Sequence, residues 1–490
     1  MGKQHDVKSL KLNFIMNAIL TASSILFPLI TFPYVSRILH PTGTGKVAFA
    51  TSLISYFALF SQLGIPTYGV RACAKVRDDR VQLTRTVQEL FIINLVMSMV
   101  VYIALFAALI FVPRMQAERT LYLVVSLTIL FNAIGMEWLY KGLEQYTYIT
   151  ARSVLFKLIA LIGMYLLIQK ESDYVLYGGL TIFAASASGV MNFTHARQYI
   201  SLRPIGGYHF LPHIRAVVVF FAMSCAVTIY THIDSTMLGI MIDDAAVGYY
   251  DAAVKVRTAL LGFVTSLGTV LMPRTSYYIQ HGQYEEFMRV SIKAMHFVFL
   301  LATPLVVFFI LFARPSIYLL SGAAYHGSVV PMQFIMPTIL LVGITNILGL
   351  QMLVPLGREK IVLYSEISGA LTDLIMNAVL IPSLGAAGAA IGTLAAEIVV
   401  FIVQFAELKE DALATLRSVP YGKIAVAILL GISASWWVLA RLWGNFSTLL
   451  LGAMLFYGIY GLFLLMIREP LVLEIWSQTT RLLKKVCETH

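Results

Sequence analysis

Apolar runs of about twenty residues, each closed by a short polar segment, recur along the whole chain. Helix of that length crosses roughly 30 Å of hydrocarbon. Six such runs fall near 14–35, 46–66, 88–112, 120–140, 149–169 and 174–195, and six more near 216–240, 248–272, 291–313, 332–354, 361–381 and 386–406. Two others follow near 422–442 and 446–467. The pattern predicts an all-α polytopic membrane protein with about fourteen transmembrane helices. They group as two pseudo-symmetric six-helix bundles, 1–205 and 206–415, with two additional helices and a cytoplasmic tail over 416–490. The segments between spans are too short to fold as separate domains, so any function is carried inside the bilayer.

Composition agrees. The 490 residues are 59% hydrophobic and 12% charged, with a mean hydropathy of +0.81, which excludes a soluble globular domain. A net charge of +10 raises the question of nucleic acid, but the basic residues are scattered between apolar runs and form no block, so no nucleic-acid partner is expected. Placing the N-terminus in the cytoplasm puts most Lys and Arg, including Arg71, Lys75, Arg77, Arg80 and Arg85, on cytoplasmic segments. An even number of spans returns the C-terminus to the same side. The first run is too long for a signal-peptide core and reads as an uncleaved span. Cys73, Cys225 and Cys487 have no metal or redox spacing and read as free thiols. The tail Ile475 to Lys485 mixes leucines with basic residues and reads as an anchor on acidic lipid.

A weak internal repeat accompanies the two six-span series. Ser36 to Ala50 joins spans one and two, and Ser235 to Ala253 joins spans seven and eight. Both pass from a helix end through a small turn to a Gly followed by an aromatic residue and alanines. Two halves of like orientation fit parallel repeats enclosing a cavity.

Ionisable residues inside spans cost roughly 2.5 to 3.5 kcal/mol each on insertion scales and therefore mark function. The densest stretch is Met223 to Arg257, with Asp234 inside an apolar run, Asp243 and Asp244 in a turn, and Asp251, Lys255 and Arg257 in the next run. Asp373 and Asn377 in span eleven are four apart and share a helix face. With Asp234 in span seven and Thr393 in span twelve, they lie about 6 to 12 Å from the outer ends of their spans. Hard oxygen donors of this kind suit an alkali cation or a shared proton. Lys255 and Arg257, with Arg37 and Lys46 flanking the matching turn of the first half, could replace the hydration shell of a phosphate-bearing headgroup. Alternatives remain open. Arg37 and Lys46 could snorkel to the interface, Lys255 and Arg257 could pair with Asp251, and the acids could be satisfied by Ser and Thr. Tyr230, Tyr249, Tyr250, Tyr277 and Tyr278 could stack on sugars or belong to the aromatic belt. Glu137 reads as interfacial, and Glu366 and Glu397 as deeper. Pro28, Pro33, Pro304 and Pro337 remove backbone donors where helices could bend.

Phe27-Pro28-Leu29-Ile30-Thr31-Phe32-Pro33-Tyr34-Val35-Ser36-Arg37-Ile38-Leu39, Gly45-Lys46-Val47-Ala48-Phe49-Ala50 and Leu63-Gly64-Ile65-Pro66-Thr67-Tyr68-Gly69 resemble the opening signature of O-antigen and polysaccharide repeat-unit flippases, within the multidrug/oligosaccharidyl-lipid/polysaccharide exporter superfamily. Ile381 to Ala390 and Glu397 resemble that family's segment between spans eleven and twelve. The resemblance implies no enzyme and no cofactor. It implies alternating-access movement of an undecaprenyl-diphosphate-linked oligosaccharide across a bacterial inner membrane, with a sodium ion or proton as coupling ion and other polysaccharide-assembly membrane proteins as candidate partners. It also implies a sodium site on Asp234, Asp373, Asn377 and Thr393, as in related lipid II flippases, although the Asn and Asp of span eleven are swapped in order here. The paired arginines that those flippases carry in span one are absent. In a drug-cation exporter on the same fold Lys255 and Arg257 would repel the organic cation, and a membrane-embedded glycan polymerase or ligase would need a long outer loop that the pattern does not show.

Overall fold

The structure, a computed structural model, describes residues 10–441, 444–474 and 477, so the basic tail and Cys487 lie outside the described residues, apart from Ser477. Every regular element among the described residues is helical. In chain order these are α1 (Leu10–Gln62), α2 (Ile65–Lys75), α3 (Arg80–Phe111), α4 (Pro113–Ala117), α5 (Arg119–Gly135), α6 (Glu137–Gly142), α7 (Tyr146–Leu167), α8 (Tyr174–Ile182), α9 (Gly189–His195), α10 (Phe210–Met241) and α11 (Asp244–Gln280). There follow α12 (Tyr284–Leu311), α13 (Ala313–Ser321), α14 (Val329–Ile335), α15 (Thr338–Asn346), α16 (Glu359–Leu384), α17 (Ala386–Leu408), α18 (Glu410–Arg417), α19 (Tyr421–Leu439) and α20 (Asn445–Met466).

Among the described residues, twelve helical stretches are long and apolar enough to cross a membrane. The first, Leu12–Lys75, is 64 residues long and breaks at His40, whose φ of 56° precedes Pro41. Since 64 residues of helix would reach about 96 Å, this stretch makes two passages. With the shorter apolar helix Arg119–Gly135, the count reaches the fourteen read from the pattern. Span four ends earlier than expected because Met136, at φ 40°, stops α5. Span ten is broken: Pro337 separates α14 from α15, and a wide π-type turn at Ile347–Leu353 follows.

Sidedness within single helices shows where lipid belongs. On α3, Val96, Met99, Val100, Ile103, Phe106 and Ile110 are exposed, Ile103 by 71%, while Ile93, Val101, Leu105 and Leu109 are buried. Such a stripe at helical spacing is stable only against hydrocarbon.

The chain falls into two compact units, Met1–Asp251 and Ala252–His490. One core of the first unit gathers Val35, Leu39, Leu105, Leu121, Val125 and Met164 from α1, α3, α5 and α7. Another gathers Ile65, Leu83, Leu90, Leu139, Ile149 and Val217 from α2, α3, α6, α7 and α10. In the second unit, α16 and α17 form a tight hairpin in which Gly388 lies against the backbone of Leu380, and Gly369 against Val400. Small residues let membrane helices approach this closely.

Candidate functional site

The second unit contains a buried polar cluster between α16 and α17. Asp373 and Asn377 are both fully buried, and Asn377 Nδ2 donates to Asp373 Oδ1 at 3.3 Å. Gly392 of α17 faces them so closely that a Cβ there would meet Asn377 Oδ1 and stand 3.0 Å from Asp373 Oδ1. The adjacent Thr393 is 5% exposed, and its hydroxyl donates to the Ala389 carbonyl at 3.0 Å. The helix spacing and the Gly-rich start of α17 thus place three of the four expected cation-site residues on facing helices. The fourth, Asp234, belongs to the first unit, where it is 5% exposed and accepts a hydrogen bond from the Tyr250 hydroxyl. Tyr250, a candidate for sugar stacking, is 4% exposed and committed to that carboxylate.

Arg257 sits in the same unit as Asp373. Its Nε donates to Thr338 Oγ1 at 2.5 Å and its Nη2 to Glu397 Oε1 at 3.2 Å. The side chains are 15% and 7% exposed, so this is a largely desolvated ion pair. The counter-ion of Arg257 is therefore an acid on α17, far along the chain, where the sequence had offered Asp251. Glu366 of α16 is close enough to Glu397 to feel its charge. Lys255 is half-buried one turn from Asp251.

In the first unit, Arg37 is exposed and returns to the Pro33 carbonyl one turn back. Lys46 pairs with Glu118 at 2.5 Å and lies 4.7 Å from the centre of the Tyr174 ring, whose hydroxyl donates to the other Glu118 oxygen at 2.7 Å. Lys46 thus has a local carboxylate instead of reaching for the interface.

The two repeat-like segments meet within this unit. A Cβ on Gly45 would strike the Asp244 carbonyl, one on Gly248 the Pro41 carbonyl, and one on Gly239 the Phe49 ring. Arg114 fastens the contact through a 2.5 Å pair with Asp244 while stacking 4.2 Å over Phe49. The sequence pattern missed Arg114 and Glu118 because their partners lie 130 and 72 residues away. Their crowding into the short link before α5 was the available signal. It also missed Lys157 of α7, held by Ser23 Oγ at 2.9 Å and Ser24 Oγ at 2.8 Å. Glu137, read as interfacial, pairs with Lys141 at 2.9 Å. Cys73 and Cys225 are free.

A many-passage helical bundle with buried acids, ion pairs and glycine-tight crossings at membrane depth defines a membrane protein of the transporter folds. The lipid II flippase MurJ in an inward closed conformation matches over 93% of this chain and all of its own length, with a TM-score of 0.70 at 14% identity. An inward-facing multidrug resistance MATE family transporter of the MOP superfamily matches over 83% of this chain and 99% of its own, with a TM-score of 0.59 at 16% identity. At such identities these likenesses concern the fold. The sequence match is to the family described as polysaccharide biosynthesis protein, over residues 10–279, and the chain belongs to that family. A MatE model also matches residues 220–379. Two curated relatives bear the name "Putative O-antigen transporter". The one from Escherichia coli (strain K12) is 22% identical over 80% of this chain and 95% of its own length. The one from Shigella dysenteriae is 23% identical over 82% and 100%. The family resemblance read from the opening signature is borne out.

Proposed function

We propose that the protein is a flippase that carries an undecaprenyl-diphosphate-linked oligosaccharide repeat unit from the cytoplasmic to the periplasmic leaflet of a bacterial inner membrane. It works by alternating access, with both termini in the cytoplasm and a sodium or proton gradient as the driving force. Membership of the polysaccharide family and relatives named as O-antigen transporters support the substrate class. The observation that carries the reading is Arg257: a guanidinium kept at membrane depth, held by one carboxylate and one hydroxyl, can be handed to a diphosphate that offers the same bidentate geometry. Lys255, and Arg37 and Lys46 of the first unit, are the further headgroup contacts of this reading. Asp373, Asn377 and Thr393, with Asp234, are its coupling-ion site. No bond is made or broken in the cycle, so the protein is no enzyme.

The test is translocation in proteoliposomes. A polyprenyl-diphosphate-linked oligosaccharide placed in one leaflet should become accessible to an impermeant lectin on the other side when a sodium or proton gradient is imposed. Lys255→Ala with Arg257→Ala should slow this about tenfold or more, the worth of a charge-assisted hydrogen bond. Transfer no faster than in protein-free liposomes under either gradient would end the flippase reading. Unchanged transfer in the double variant would remove these two residues from it.

A further inference from the structure

Residues 199–209 lead from the region of α9 into α10, and two consecutive side chains of α3 hold them. Gln88 uses its whole amide: Nε2 donates to the carbonyls of Ser201 and Arg203, both at 2.9 Å, and Oε1 accepts from the Tyr208 hydroxyl at 2.9 Å and the Ile205 amide at 3.4 Å. Glu89, 3% exposed, accepts the His209 amide at 2.6 Å on Oε1 and stands 2.7 Å from His213 Nε2 through Oε2. His213 Nδ1 lies 2.8 Å from the Tyr68 hydroxyl of α2.

The buried carboxylate does two jobs. It receives the first free amide of α10, where a negative charge suits the helix end. It also fixes the imidazole: an ionised Glu89 only accepts, so Nε2 carries a hydrogen, and Nδ1 is the one nitrogen that can gain or lose a proton. With Nδ1 bare, Tyr68 donates to it and the buried group carries a net negative charge. With Nδ1 protonated, Tyr68 turns to accept and the group becomes a neutral ion pair. Arg71 and Cys73 of α2 act electrostatically on Tyr68, and the Arg85 guanidinium of α3 lies beside Gly207 of the held segment, 3.6 Å from where a Cβ would stand.

We propose that Tyr68, His213 and Glu89 form a proton-binding site, and that its filling sets how tightly segment 199–209 and the start of α10 are held to α3. Proton uptake at Nδ1 converts a hydrogen bond from a neutral imidazole to the carboxylate into an ion pair between two opposite charges, so the segment is bound more tightly as pH falls. This inference is independent of what the protein transports, since it concerns the attachment of α10 to α3.

The experiment is hydrogen–deuterium exchange of the full-length protein in lipid nanodiscs at pH values from 8 to 5.5, with rates corrected for intrinsic exchange. Protection of the His209 and Ile205 amides should rise about tenfold across that range, the gain when a hydrogen bond already assisted by the carboxylate acquires a charged donor as well. Glu89→Gln, which keeps the shape and can still accept the His209 amide, should abolish the pH dependence. Protection that is flat with pH in the wild type, or an unchanged profile in Glu89→Gln, would overturn the proposal. Should Glu89→Gln not fold, Tyr68→Phe removes only the Nδ1 partner and must shift the midpoint of the profile. An unshifted midpoint there would likewise overturn it.

Discussion

Glu397→Ala should destabilise the second unit far more than the loss of one contact, because it strands the charge of Arg257. The two side chains are 15% and 7% exposed and meet at 3.2 Å, so neither ion has water to fall back on. The Thr338 hydroxyl at 2.5 Å would remain as a neutral acceptor, which offsets little of a guanidinium's desolvation. Breaking one side of such a buried pair costs about 3–5 kcal/mol, whereas replacing both members by apolar side chains is often neutral. Arg257→Met in the same chain should therefore recover most of the loss, giving a coupling of at least about 3 kcal/mol in the double-mutant cycle. Glu366 complicates the single variant, since its carboxylate is near enough to Glu397 to interact with it and could take over part of the neutralisation. The cycle is best run with Glu366→Gln throughout. Reversible unfolding in mixed micelles, followed by helical circular dichroism, reads the effect as a fall of roughly two to three and a half decades in the folding constant. Costs below about 0.5 kcal/mol for each single variant, adding without coupling, would refute the idea that this ion pair is desolvated and mutually dependent.

Gly45→Ala should push α1 from the α10–α11 turn, since its Cβ would occupy the Asp244 carbonyl position. A cost of about 1–3 kcal/mol is expected, seen as a lower melting temperature and as faster maleimide labelling of a cysteine at the buried Thr44. Asp373→Asn and Asp234→Asn should leave the protein inserted and folded but remove the response of transport to sodium or pH gradients; a full response in both variants would end the cation-site reading. Gly392→Ala should have the same effect as Asp373→Asn by pressing a methyl group onto Asn377, and a normal ion response would separate Gly392 from that site. Gln88→Ala removes the four hydrogen bonds holding 201–208 and should raise exchange of that segment at every pH, whereas an effect confined to one end of the pH range would contradict its role as a neutral clamp.

Much of this fold was legible because membrane spans announce themselves one at a time. The runs 386–406 and 446–467 correspond to helices Ala386–Leu408 and Asn445–Met466, since twenty consecutive apolar residues have few other stable conformations. The i, i+4 pairing of Asp373 and Asn377 was legible for the same local reason. What escaped was whatever depends on which helix lies beside which. Proximity in sequence offers Arg257 only Asp251 as an alternative to a headgroup, whereas its carboxylate partner Glu397 is 140 residues away. For Lys46 the sequence offers a headgroup or the interface, because Glu118 belongs to another span boundary. Glu89, an acid inside a long apolar helix, takes its meaning only from His209 and His213 at the start of α10 and Tyr68 of α2.

These long-range pairs change the electrostatics of the proposed cycle. Lys46, Arg114 and Arg257 each hold a carboxylate, Glu118, Asp244 and Glu397 respectively, so an anionic substrate meets ion pairs at these positions and not bare cations. On the proposed function, a diphosphate binding at Arg257 exchanges for Glu397 instead of filling a bare cation. Such an exchange is close to neutral in Coulombic energy, because one anion leaves the guanidinium as another arrives. It lets the empty carrier remain stable in hydrocarbon, where an uncompensated guanidinium would be costly. The displaced Glu397 must then be accommodated, either by a proton or by another donor in the second unit. Transport should consequently slow as pH rises if a proton fills that role, and the slope should disappear in Glu397→Gln, which can still bond Arg257 but cannot titrate. A wild-type rate independent of pH, or an unaltered slope in Glu397→Gln, would show that the carboxylate stays ionised throughout the cycle and that the charge balance is struck elsewhere.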